Sequence, residues 1–173
     1  MNVRNRIIKI FKNSGIFFRQ DEFCKMEITD FGLEDFLNIG LSIIIYVNTD
    51  RVCAKELALL PFQICPQHKH PNIANKPGKE ETFRCRWGTV YLYVEGDRSV
   101  NIKATIPKKY SDRFNVFYEI LLKPGDQYTL QPNTWHWFQS GPEGAVVSEF
   151  STNSYDAGDI FYDKDIERVP VDN

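Results

Sequence analysis

The stretch Glu81-Thr82-Phe83-Arg84-Cys85-Arg86-Trp87-Gly88-Thr89-Val90-Tyr91-Leu92-Tyr93-Val94-Glu95-Gly96-Asp97 decides how the chain folds. In its first seven residues the side chains alternate, so Glu81, Phe83, Cys85 and Trp87 share one strand face. Thr82, Arg84 and Arg86 take the other. Trp87-Gly88-Thr89 reads as a turn, Val90–Glu95 as a second strand, and Glu95-Gly96-Asp97 as the next turn. The same grammar extends outward. Strands are expected at Leu41–Val47, Cys53–Leu60, Phe114–Leu122, Gln127–Leu130, Trp135–Phe138 and Ala145–Phe150. Asn48-Thr49-Asp50, Lys123-Pro124-Gly125-Asp126 and Gly141-Pro142-Glu143-Gly144 separate them. Many short strands with few helical patterns define a mainly all-β chain, a sandwich or barrel. The exception is Asn2–Lys12, where Ile7, Ile8 and Phe11 recur at helical spacing before the stop Asn13-Ser14-Gly15. This amphipathic helix is expected to pack outside the barrel or against a second subunit. The expected organisation is an N-terminal helical arm over 1–30 and a β-barrel domain over 31–173.

Composition narrows the class. The 173 residues suit one domain, and 42% hydrophobic residues are ample for a packed core. A formal charge of −2 offers no footprint for nucleic acid or for an anionic membrane surface. No apolar run approaches a membrane span, and the N-terminus lacks the apolar core of a secretion signal, so the expected location is cytoplasmic. Cys24, Cys53, Cys65 and Cys85 form no C-x-x-C pair and read as thiols. Pro71–Lys79 and Asp97–Arg113 read as longer loops; the second, with Lys103, Lys108 and Lys109, is either a lid or a solvated loop.

The chain has three histidines: His68, His70 and His136. At i and i+2 on an extended segment, His68 and His70 leave the same face, where one metal ion can bind both. Glu81 is a carboxylate on an otherwise apolar face, which is costly unless paired or metal-bound. His136 would close the site from another strand. Three imidazoles and a carboxylate suit Mn, Fe, Co, Ni or Zn; the absence of a thiolate argues against copper or iron–sulfur.

His68-x-His70, Glu81-x6-Gly88, Pro124-Gly125 and Pro132 before His136 resemble the two-part metal signature of the cupin superfamily, although ten residues separate His70 from Glu81. The resemblance implies a cupin double-stranded, jelly-roll-like β-barrel. Longer strings resemble a narrower family, the cupin-type D-lyxose isomerases: Tyr46-Val-Asn-Thr-Asp-Arg51, Cys65-Pro-Gln-His-Lys-His-Pro71, Lys79-Glu-Glu-Thr-Phe-Arg-Cys-Arg86 and Val90-Tyr-Leu-Tyr-Val-Glu-Gly96. So do Gln127-Tyr-Thr129, Asn133 to Gln139, and Gly144-Ala-Val-Val147 through Asp159-Ile-Phe161, over residues 40 to 168 in all.

That resemblance implies a metal-dependent ketol-isomerase interconverting D-lyxose and D-xylulose, with D-mannose and D-fructose as a second pair. It implies one divalent ion per subunit, Mn2+ favoured, and a homodimer. Aldose–ketose isomerisation moves a proton between C1 and C2, and a divalent cation on both oxygens stabilises the enediolate. For the base we select Glu149, the polar exception if Ala145, Val147 and Glu149 face inward; an outward, solvated Glu149 is the alternative. Lys79 would steady the enediolate or a hydroxyl, or be a solvated loop lysine. Asp159 and Lys55 are sugar-binding candidates. Trp135 and Trp137, of opposite parity to His136, are expected behind the barrel. The rival readings are a cupin Fe(II) dioxygenase and a non-catalytic sugar-binding cupin.

Overall fold

In the computed structural model, which describes residues 2–167, β5 (Glu81–Val94) and β8 (His136–Ser151) are each one continuous strand where the sequence predicts two. They pair antiparallel along their whole length, Glu81 opposite Ser151 and Val94 opposite His136. The glycines that read as turns therefore bend a ribbon and do not reverse it. Register shifts between Cys85 and Trp87, and between Gly88 and Val90, increase the local twist. Gly88 has φ 74°, and a Cβ there would lie 2.1 Å from Gly144 O. Gly144 has φ 94°, and its Cβ would meet Leu59 O at 2.6 Å. Only glycine fits where the ribbon folds over.

Each half of the ribbon recruits its own flanking strands. The Glu81 half is bordered by β7 (Gln127–Leu130) on one side and on the other by β3 (Cys53–Leu59), β2 (Leu41–Asn48) and β1 (Glu27–Thr29). The Val94 half is bordered by β6 (Tyr118–Leu122) and by β4 (Ile64–Lys69) with β9 (Ile160–Phe161). The two layers bury one shared core containing Leu57, Leu59, Phe83 and Cys85 from the first and Ile64, Leu92 and Phe138 from the second. This is the double-stranded, jelly-roll-like barrel expected.

The helix is α1 (Val3–Asn13), capped by the Asn2 side chain, which accepts from Asn5 N–H at 2.9 Å. Its buried face is Ile7, Ile10 and Phe11, with Ile8 at the margin. That face lies on Ile44, Ala58 and Val146, together with Phe23 of the short α2 (Gln20–Cys24) and Ile28 of β1. It is thus spent on the chain's own barrel. Burying three such side chains contributes roughly 1.5–3 kcal/mol each. Trp87 packs against this outer cluster and not inward as alternation places it. The bulge after Cys85 moves it to the other face.

Three further differences have local causes. β4 escapes a pattern search because it is buried throughout, apart from Lys69, and contains Pro66. The strand expected at Phe114–Leu122 begins at Tyr118. The loop 97–113 lies on the outer face of the second layer and does not cover the cavity. Ala104 N–H donates to the Tyr93 hydroxyl at 2.9 Å and Thr105 N–H to Gln139 Oε1 at 2.7 Å. Lys103 pairs with Glu119 and Lys109 with Asp35. Trp137 is fully buried there, stacked on Tyr93 at 4.1 Å, and Trp135 meets Tyr162 edge-on. Among the described residues no helix is long and apolar enough to cross a membrane.

Replacing Gly88 with alanine should cost about 2–4 kcal/mol of unfolding free energy, because both the left-handed φ and the Gly144 carbonyl oppose a Cβ. Urea denaturation of the variant beside the unmodified chain measures this.

Candidate metal centre and active site

His68 and His136 sit opposite each other on β4 and β8. His70 follows β4 by one residue, and Glu81 opens β5. Glu81 and His136 belong to opposite ends of the β5–β8 ribbon, yet His136 Nε2 lies 3.1 Å from Glu81 Oε1. The ribbon's curl brings them together. One ligand atom from each of His68, His70, Glu81 and His136 can be chosen so that all lie within 4.8 Å of one another, and all four residues are buried.

The histidines are aimed by the chain around them. His68 Nδ1 lies 2.8 Å from Pro66 O, His136 Nδ1 3.0 Å from Thr134 O, and His70 Nδ1 2.5 Å from Asp159 Oδ1. Carbonyl oxygens only accept, so His68 and His136 carry their proton on Nδ1 and turn the Nε2 lone pair toward the centre. Asp159 does the same for His70. Among the described residues His136 Nε2, which faces Glu81 Oε1, has no hydrogen-bond partner. Such a set fits a divalent cation closely: three oriented imidazoles and one carboxylate converge where an unmatched lone pair is otherwise costly.

Electrostatics separate the ligands, and His70 must release a proton to bind a cation. Burial, with the neighbouring His136 and His70, pushes His68 well below the ordinary histidine value and keeps it neutral. Burial opposes charge on His70 as well, but Glu81 and Asp159 overcome it and raise its pKa to about 9. Glu81 is held well below the carboxylate range: burial works against its charge, and Lys79 and His70 outweigh burial. Four carboxylates (Glu81, Glu149, Asp156, Asp159) and two ammonium groups (Lys55, Lys79) line the same cavity. The excess of negative charge suits a divalent ion.

Glu149 faces inward, as the parity of Ala145 and Val147 predicts, and is 5% exposed. Two lysines engage it: Lys79 Nζ lies 2.9 Å from its Oε1 and Lys55 Nζ 3.8 Å. Lys79 also meets Glu81 Oε2 at 2.5 Å. Burial alone would discharge Lys79, but Glu149 and Glu81 hold it protonated. It is therefore a cation and donor, not a solvated loop lysine. Lys55 stands opposite Glu149 on β3 and donates to Ser154 Oγ at 2.9 Å. Asp159 turns out to support His70.

Sequence reasoning missed Ser154, Asp156, Phe31 and Phe161. The first two occupy a polar segment with no periodicity, which folds back over the barrel: Asn48 Nδ2 donates to Ser154 O and Tyr162 N–H to Gln67 O, both at 2.9 Å. The resulting cavity is lined by His68, His70 and Glu81 together with Lys55, Lys79 and Glu149.

A curled β-barrel with a buried three-histidine, one-carboxylate centre and an adjoining polar cavity is a metal-binding cupin. Residues 19–171 match the family model for D-lyxose isomerase. The chain is 52% identical over 168 residues to a D-lyxose ketol-isomerase of Cohnella laeviribosi, covering 97% of this chain and 92% of that protein. It is 51% identical to a D-lyxose/D-mannose isomerase of Thermosediminibacter oceani, covering 97% and 93%. Among solved structures, the L-ribose isomerase of Cellulomonas parahominis shares the fold, with a TM-score of 0.77 at 14% identity over 97% of this chain and 93% of that one. The chain belongs to the D-lyxose isomerase family.

Asp159→Ala should weaken metal binding by about 10–100-fold, because His70 loses the acceptor that fixes its ring. Competition against a fluorescent chelator reads this directly.

Proposed function

We propose that the protein is a D-lyxose ketol-isomerase, converting D-lyxose to D-xylulose and, by the same chemistry, D-mannose to D-fructose. The observation that carries this reading is an inward carboxylate, Glu149, held between two ammonium groups beside a four-ligand cluster. A divalent ion on His68, His70, Glu81 and His136 would polarise the C1 and C2 oxygens of the sugar and acidify the C2–H bond. Mn2+ is our choice among the ions this ligand set accepts.

The chain's own residues would do the rest. The Glu149 carboxylate takes the proton from C2, and the C–H electrons form the C1–C2 double bond of an enediolate. The same carboxylate returns the proton to C1, while the hydroxyl proton on O2 passes to O1. Lys79, held protonated, donates to the developing oxyanion and to Glu149 Oε1. Lys55 and Asp159 border the cavity that receives the remaining hydroxyls. A dioxygenase has no use for such a carboxylate, and a passive sugar binder none for a paired cation beside it. We assign the assembly as a homodimer and the location as cytoplasm, on the strength of the family resemblance and the exposed apolar side chains of β2, Ile45, Tyr46 and Val47.

Chelator treatment should abolish ketose formation from D-lyxose, and reloading with single ions should restore it best with Mn2+. Glu149→Gln should lower kcat by about 10²–10⁴-fold while retaining metal binding. Turnover by this variant within tenfold of normal would remove Glu149 as the base. Stoichiometric metal binding without conversion of any aldose would remove the isomerase reading.

A further inference from the structure

The cavity beside the metal centre is divided by chemistry. Its charged groups gather around the four ligands, and the wall beyond them is carbon apart from the Cys65 thiol. The gradient is visible along β3: Lys55 pairs with Glu149, and two residues on Leu57 pairs with Ile43 and Val147. Leu41 follows on the same face of β2, and Phe31 closes this end from the turn after β1. Phe31 is edge-on to Phe161 at 5.7 Å, and Phe161 lies 5.5 Å from the His68 ring. Among the described residues the lining at this end carries no hydroxyl, amide or charged side chain, its polar group being the Cys65 thiol.

Phe31 is held there against its backbone preference. Its φ is 58°, in the left-handed region that a bulky side chain rarely adopts, and Gly32 follows at 77°. Two hydrogen bonds fix the conformation: Phe31 N–H donates to Thr29 Oγ1 at 3.0 Å, and Glu167 N–H to Phe31 O at 2.9 Å. Strain maintained at a cavity wall commonly serves the ligand.

We propose that Phe31, Leu41 and Ile43 form a specificity wall for the sugar end remote from the metal. The enzyme then isomerises 6-deoxy-D-mannose to 6-deoxy-D-fructose more efficiently than D-mannose to D-fructose. This rests on the isomerase reading above. An open-chain aldohexose held through O1 and O2 carries C6 farthest from the ligands. In D-mannose that carbon bears a hydroxyl, which must lose water against a wall that offers it at most a weak thiol partner. A methyl group there is buried favourably. D-Lyxose shares the C2–C4 configuration of D-mannose and has no sixth carbon. The bonds made and broken are those of the parent reaction: the C2 proton moves to C1 and the O2 proton to O1, with no co-reactant.

The test is kcat/KM of the metal-loaded full chain on D-lyxose, D-mannose and 6-deoxy-D-mannose. The deoxy sugar should exceed D-mannose by about tenfold, the order of discrimination a small apolar contact supplies. Ile43→Thr puts a hydroxyl into the wall at the loss of one methyl group and should pull the deoxy-to-hydroxy ratio below about threefold. Phe31→Tyr asks the same at a second position if the first variant does not fold. A ratio at or below one, with D-lyxose turned over normally, overturns the proposal, as does a ratio that neither variant moves. Failure to convert D-lyxose at all overturns the isomerase reading beneath it.

Discussion

The unbroken pairing of β5 with β8 is the constraint on which the rest of the molecule depends. A ribbon that stays hydrogen-bonded while folding over must form two layers, because each half offers its outer edges to different partners. The fold-over is possible because Gly88 and Gly144 approach closer than any side chain allows. It follows that residues far apart along one strand can meet across the interior. Glu81 and His136 are such a pair, so the metal centre is a direct product of barrel closure and not a feature added to it.

Charge organisation within the barrel follows from the same closure. Once Glu81 and Glu149 are carried inward on β5 and β8, they must find partners or stay protonated. Lys79 and Lys55 supply those partners from the loop before β5 and from β3. Within it Lys79 is held protonated and Glu81 is held as a carboxylate. Such a place suits proton transfer, since Glu149 and its lysine partners are already buried before sugar arrives.

Much of this was legible in the sequence where local chemistry speaks plainly. The i, i+2 histidines and the inward parity of Glu81 and Glu149 depend only on the strand period, and the structure keeps all of them on one side of the sheet. The Trp87 assignment failed because a bulge shifts register by one residue, and alternation carries no mark of a bulge. Two strands were each split in half because glycine-rich segments announce a turn whether the chain reverses or only bends. In the segment 152–161 only Asp159 was singled out, because Ser154, Asp156 and Asp159 are placed by long-range contacts to Lys55 and His70, not by any repeating pattern.

The distribution of the ligands has a consequence for the protein's durability. His68, His70 and His136 come from one layer, and Glu81 from the other. A bound ion is therefore a rivet through the barrel, clamping together two sheets that otherwise meet there through a buried cluster of excess negative charge. By mass action, free metal at about a hundred times its dissociation constant adds about 2.7 kcal/mol to the folded state. Heat resistance in this protein is accordingly a property of the solution as much as of the chain, set by how much cation the surroundings supply.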